Sequence, residues 1–185
     1  MITLAQGFCT AQQTLWFEGM AEYTTTMTMR GISAGSSIYS AEYYKDGNVL
    51  THAEMGTTPY RSDTKAEMSK EIGQNKIETT LVADMPTLKA TVDKKPVTVE
   101  GHECIRVTHI AKASDPAMGS AEMTTTDYID VSFVIPYQHG RISEVPTGLV
   151  VKSESTIETD DISFSYTKRL KNLLPKQLED SLFKL

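Results

Sequence analysis

The residues of this 185-residue chain with chemistry to offer are four histidines, two cysteines and a scatter of aspartates. His102 and Cys104 stand two apart in VEGHECIRVTHI, so a strand sets imidazole and thiol on one face, the beginning of a metal site. A site needs one or two further ligands. His109 projects to the opposite face, and the plainer reading is a packed thiol beside a surface histidine. His52 and His139 are isolated. Asp127 with Asp130, and Asp160 with Asp161, offer carboxylates for catalysis or calcium, yet adjacent acids at turns are ordinary turn formers and no D-x-D-x-D-G loop is present. Gly31–Ser37 has the glycines and serines of a phosphate loop without its closing lysine. There is no G-x-S-x-G. The residue types therefore assemble no catalytic set, no cofactor fingerprint and no metal set, and the expectation is a non-enzymatic protein without a cofactor.

Length and composition place these residues in one ordinary globular domain: 39% hydrophobic, 23% charged, formal charge -6. A mildly acidic chain with no basic stripe is not expected to bind nucleic acid. No apolar run is long enough to span a bilayer as a helix. Cys9 and Cys104 have neither a CxxC nor a zinc spacing and set no disulfide. Residues 1–13 read either as the remnant of a secretory leader, with small residues before Gln12, or as an ordinary first strand or flexible terminus. Residues 14–185 read as the single domain.

The elements that must position the rest are strands, and the longest run of β-type residues is Val97–Ile157. Leu15–Met29 alternates, with Phe17, Gly19, Ala21, Tyr23, Thr25, Met27 and Met29 on one face and a threonine-rich face opposite. Gly31–Ser37 reads as a loose turn. Ile38–Lys45 and Val49–Met55 flank Asp46-Gly47-Asn48, a hairpin signal. Pro59 breaks the strand pattern, and Asp63 caps a short helix through Ile72, stopped by Gly73. Ile77–Ala83 and Leu88–Val92 are short strands around Met85-Pro86-Thr87, and Lys94-Lys95-Pro96 is a turn.

Val97–Ile110 is one strand with Gly101 at a bulge. Lys112–Ser120 is a mobile hairpin loop. Ala121–Pro136 continues as a strand with Ile129, Val131, Phe133 and Ile135 aligned inward. Leu149–Ile157 and Ile162–Thr167 close the series, followed by a basic tail with a short helix from Pro175. The fold class expected is mainly β with one or two short helices, a curved antiparallel sheet or half-barrel.

The phrases VEGHECIRVTH and TDYIDVSFVIP, the strand start Val145-Pro146-Thr147-Gly148-Leu149-Val150, the ending LKNLLPKQLEDSLFKL and the hairpin AEYYKDGNVLTHAEM resemble, in order and spacing, a domain family of unknown function in envelope proteins of Bacteroidota and other Gram-negative bacteria, related to the GLPGLI-motif family. Thr147 departs from the glycine–proline pattern, and Leu185 stands where a proline is expected. The resemblance implies a LolA/LolB-like lipoprotein-carrier fold: a curved sheet around an apolar cavity, in an exported protein of the periplasm or outer membrane.

The partner so implied is a lipid, an acyl chain or a lipoprotein, held without spanning the membrane. Flexible thioethers suit a cavity for variable ligands, but methionine is more often a core filler. The candidate cavity residues are Met27, Met29, Met68 and Phe133. The alternative is a structural or protein-interaction module of the envelope with a filled core. The basic tail reads either as a contact for anionic headgroups or as a solvated edge strand kept soluble by its lysines.

Overall fold

The computed structural model describes residues 15–29, 32–53, 56–61, 66–71, 77–81, 89–115, 119–137, 145, 147–158 and 163–183. Among the described residues, eleven strands form one open antiparallel sheet. In chain order these are β1 (Gly19–Met29), β2 (Ile32–Lys45), β3 (Asn48–Ala53), β4 (Gly56–Arg61), β5 (Ala66–Glu71), β6 (Ile77–Leu81), β7 (Lys89–Val99), β8 (His102–Asp115), β9 (Gly119–Asp130), β10 (Leu149–Glu158) and β11 (Ser163–Pro175). Their order across the sheet is β6-β5-β4-β3-β2-β1-β11-β10-β9-β8-β7, two meanders joined where the last strand pairs with the first.

Chain reach requires curvature. Laid flat, eleven strands would hold their edges about 48 Å apart, whereas the eight chain steps from Leu81 at one edge to Lys89 at the other cover at most about 29 Å. The sheet is curved, as the alternation along its strands predicts.

Several expectations are met strand by strand. β1 buries Gly19, Ala21 and Tyr23 and leaves Met20, Glu22 and Thr24 half-buried on the other face. Asp46 and Gly47, with φ of 50° and 73°, form the two-residue turn that pairs Lys45 with Asn48; that turn suits the right-handed strand twist.

Other expectations are corrected. Val97–Ile110 is not one strand: Glu100 and Gly101, φ 49° and 86°, make a second such turn between β7 and β8. The bulge lies instead at the predicted turn, between Asp93 and Val97. Residues 66–71 of the expected helix are strand β5, because pairing with β4 and β6 on both sides outweighs a weak helical preference. Pro59 is accommodated within β4: it pairs with Leu50, and the β4–β5 ladder passes from Thr57 to Tyr60 without it. Gly31–Ser37 gives way to a strand from Ile32, and Lys112–Ser120 is largely the continuation of β8 and β9. The short strands flanking Met85-Pro86-Thr87 lie at opposite edges of the sheet. Toward the C-terminus there is a four-residue 3-10 turn at Asp180–Phe183, not a helix from Pro175.

Two corrections bear on function. β9 stops at Asp130, whose Oδ1 accepts hydrogen bonds from Ser132 N–H (3.0 Å) and Ser132 Oγ–H (2.6 Å). This side-chain turn ends the strand. Ile129 is fully buried as expected, Val131 is 51% exposed and Phe133 is half-buried. The basic tail is not an edge: β11 runs on through Lys168 to Pro175 between β10 and β1, in the middle of the sheet.

Gly101 has open space around a would-be Cβ but a φ of 86°. Gly101→Ala is therefore expected to cost about 1 kcal/mol through backbone conformation alone, measurable as a shift in urea midpoint.

Candidate functional site on the inner face of the sheet

Directly opposed residues of an antiparallel pair point to the same face, so the ladders define rows across the inner face. One row is Val107, Asp127, Ser153, Lys168, Thr25 and Ile38; the next is His109, Thr125, Ser155, Tyr166 and Met27. A third carries Met123, Ile157, Phe164 and Met29. The inner face thus has a buried polar band beside an apolar ledge. Met29 and Met123 on the ledge are 48% and 39% exposed, and Ile38, at the end of the first row, is 38% exposed.

The band has two hydrogen-bonded centres. In the first, the Lys168 ammonium donates to Glu42 Oε1 and lies 4.0 Å above the Tyr23 ring. Tyr44 donates to Glu42 Oε2 at 2.5 Å, and the Tyr23 and Tyr44 hydroxyls are 3.2 Å apart. Burial, and then the Glu42 charge, push both phenols well above the ordinary tyrosine range. Lys168 can reach Glu42 because its stem runs along the Tyr23 ring, burying methylenes while the head is neutralised. A small cleft beside this pair, lined by Glu42, Tyr44, Lys168, Ile135, Pro136, Gly148 and Val150, has room for about one water molecule.

In the second centre three buried groups meet at one point. His109 Nε2 lies 2.5 Å from the Tyr137 hydroxyl and 3.2 Å from Asp127 Oδ2, and Tyr137 donates to Asp127. With the phenol proton committed to Asp127, the His109 Nε2–H donates to the tyrosine oxygen. The phenol is raised far above its ordinary range by burial and by the Asp127 charge, and stays protonated. His109 is 4% exposed, Asp127 0% and Tyr137 6%. A histidine, an acid and a hydroxyl so enclosed present no nucleophile to solvent; the arrangement works as a hydrogen-bond lock between sheet and loop.

Tyr137 ends the segment Val134–Tyr137, which lies on the inner face. Phe17 N–H donates to Val134 O at 3.0 Å and Gly148 N–H to Ile135 O at 2.8 Å; Pro136 bridges Thr147. Ile135, Tyr137 and Val145 are buried against the sheet's core residues.

His102 and Cys104 each have a partner within the fold. His102 Nδ1 bonds Asp130 Oδ2 at 2.9 Å. The Cys104 thiol is buried and free, pushed up to about 11 by burial and the Asp130 charge, and so is inert at neutral pH. Among the described residues no cluster of three or more His, Cys, Asp or Glu side chains could hold a metal. Cys9, His139, Asp160 and Asp161 lie outside the described residues.

Asp130 gives a pH prediction. Burial alone would raise its carboxyl, but the Ser132 hydroxyl, His102 and the Ser132 N–H hold it below the usual range. A depressed folded-state value adds stability above the ordinary carboxylate range, lost as pH falls through the folded value. Ser132→Ala is expected to cost about 1 kcal/mol at neutral pH, with the gap to wild type closing in acid, as urea denaturation across pH will read.

Of the four candidate cavity residues, Met27 and Met29 stand on the inner face at the ledge end of β1. Phe133 is at the other end, roughly 33 Å along the strand, packed edge-on against Phe17 at 5.6 Å between ring centroids. Met68 sits in β5 opposite Thr79; its side chain is outside the described residues. Lys168, Glu42, His109 and Tyr137 were not singled out by sequence as a site, and Asp127, weighed there with Asp130 as a turn former, is a fully buried residue within β9. The alternation of Val107 with His109 was the available signal for one of them.

No family model matches this sequence and no curated protein does. The chain is similar to PNGF-II. That structure shares 15% identity at a TM-score of 0.49, over 89% of this chain and 29% of that one, so this chain spans under a third of its length. A LolA superfamily protein from Nitrosomonas europaea matches at 5% identity and TM-score 0.43, over 91% and 90% of the two chains. A putative outer membrane lipoprotein-sorting protein domain from Vibrio parahaemolyticus matches at 8% and 0.45, over 92% and 90%.

Proposed function

We propose that this protein is a non-catalytic binding module of the Gram-negative envelope that uses the inner face of its curved sheet to hold an apolar ligand, a lipid or a lipidated partner. The observation that carries this reading is the ledge. Met123, Ile157, Phe164 and Met29 run in register across four adjacent strands on the inner face. Met29 and Met123 expose much of their surface, where a row closed into the core would have none. Each methylene laid on such a surface contributes about 0.8 kcal/mol. Two methionines let the surface adapt to different chains. Exposed large apolar rows on otherwise polar proteins mark contact sites.

Export to the envelope is supported by the motif resemblance and the leader-like residues 1–13. Among the described residues no helix is long and apolar enough to cross a membrane. The test is titration of a fluorescent fatty-acyl probe into wild type and Met29→Gln/Met123→Gln, with native mass spectrometry of the protein purified from its own host. Saturable binding lost at least about tenfold in the double variant is the expected result; no binding of acyl probes or co-purified lipid to a folded wild type would sink it.

The second reading, an interaction module with a filled core, is favoured by the segment Val134–Tyr137 on the inner face and by the cleft that admits only about one water. On that reading acyl probes do not bind, and the ledge variant loses a protein partner instead.

A further inference from the structure

The segment Val134–Tyr137 rests on an unusual floor. Beneath Ile135–Tyr137 and Gly148 lie Glu42, Lys168, Ser153, Asp127 and His109, all at most partly exposed. Burying such groups is costly even when they are paired, and they are stabilised again by water. Lifting a cover from a polar floor therefore forfeits little beyond the apolar contacts of Ile135, Tyr137 and Val145. Lifting one from an apolar core would forfeit both sides of the contact. The cleft between Pro136, Gly148 and the Lys168–Glu42 pair already has room for a water. The Tyr137 phenol, set between His109 and Asp127, is the directional contact that fixes the closed position.

We propose that the segment Val131–Tyr137 forms a latch, keyed by Tyr137, that opens off the polar band and away from Phe17 and Gly148 while the sheet stays folded. The proposal does not depend on what the ledge binds. Opening would connect the ledge to the band, since Met123 and Asp127 are two pleats apart on β9, about 13 Å. The inner face would then offer one continuous surface, apolar at one end and hydrogen-bonding at the other. A molecule with an apolar body and a hydroxyl could set that hydroxyl between His109 and Asp127 in place of the phenol.

Two backbone amides report the latch directly, because each donates to a latch carbonyl: Gly148 to Ile135 O and Phe17 to Val134 O. Native-state hydrogen exchange on the full chain, at several low urea concentrations, reads them beside the amides of the β8–β9 ladder. In wild type, Gly148 and Phe17 are expected to exchange at least about tenfold faster than the ladder and with little dependence on urea, the signature of local opening. Tyr137→Phe removes the phenol's bonds to His109 and Asp127 and is expected to speed these two amides at least about a further tenfold, leaving the ladder unchanged. If Gly148 exchanges at the ladder's rate and with its urea dependence, or if Tyr137→Phe speeds every amide alike, the latch does not exist. Should that variant fail to fold, the wild-type comparison decides by itself.

Discussion

Tyr23→Ala is expected to remove about 4 kcal/mol of stability, the range for truncating a fully buried aromatic ring. Tyr23 has no exposed surface and packs among Ala21, Tyr44 and Leu170 in the centre of the sheet. It also carries the Lys168 ammonium on its ring and shares a hydroxyl contact with Tyr44. Alanine would leave a cavity and take away the surface along which the Lys168 stem reaches Glu42. Tyr23→Phe keeps ring and cation contact and loses only the hydroxyl, so it should cost about 1 kcal/mol. Urea denaturation separates the two. A Tyr23→Ala variant within about 1 kcal/mol of wild type would mean that β1 and β11 do not meet in the core as described.

Lys168→Met is the second large effect, at about 3 kcal/mol. Removing one partner of an enclosed ion pair leaves the other charge without its counter-ion. Glu42 and Lys168 side chains are only 11% and 20% exposed, so water offers partial compensation. The pair itself is worth far less than its halves. Lys168→Met combined with Glu42→Leu should recover part of the loss, since an apolar pair of similar volume replaces the charges while the buried Tyr44 hydroxyl loses its acceptor. A double-mutant cycle reads the coupling. Additive losses in the double variant would show that the two charges are solvated independently and that the polar band is not a closed layer.

The strands of the N-terminal half were legible wherever local chemistry is decisive. Asp46-Gly47 forms its turn because the two residues tolerate positive φ, and that tolerance is a property of the residues themselves. β1 alternates because its inward positions are apolar or small over three successive pleats. Where the local signal was ambiguous, pairing decided. Gly101 read as a bulge within one strand; Val99 opposite His102 makes Glu100-Gly101 a turn. Residues 66–71 suit a helix in isolation and are a strand because neighbours on both sides need hydrogen-bond partners. Val131 continued the strand pattern on paper, and the Asp130–Ser132 bonds ended it.

The candidate site was less legible for the same reason. A row across a sheet takes one residue from each strand, and the strands that supply Met29, Phe164, Ile157 and Met123 are far apart in the chain. Nothing within any one strand marks its residue as belonging with the others. Lys168 looked like part of a solvated tail because its charge is visible in sequence and its partner is not: Glu42 is 126 positions away. Tyr137 followed a proline in what read as a loop, and its phenol acquires a role only when the loop lies over His109 and Asp127.

What this amino-acid sequence settled unaided is a β protein of sequential antiparallel strands, alternating faces and tight turns. Those properties depend on neighbours two to four positions apart, which the chain holds together whatever its fold. The tertiary structure alone decided that β11 joins the two meanders at the centre, that the inner face divides into a polar band and an apolar ledge, and that Ile135–Tyr137 lie over the band. Each of those depends on register between distant strands, and register is set by the whole sheet's hydrogen bonding and burial, to which no single segment has access.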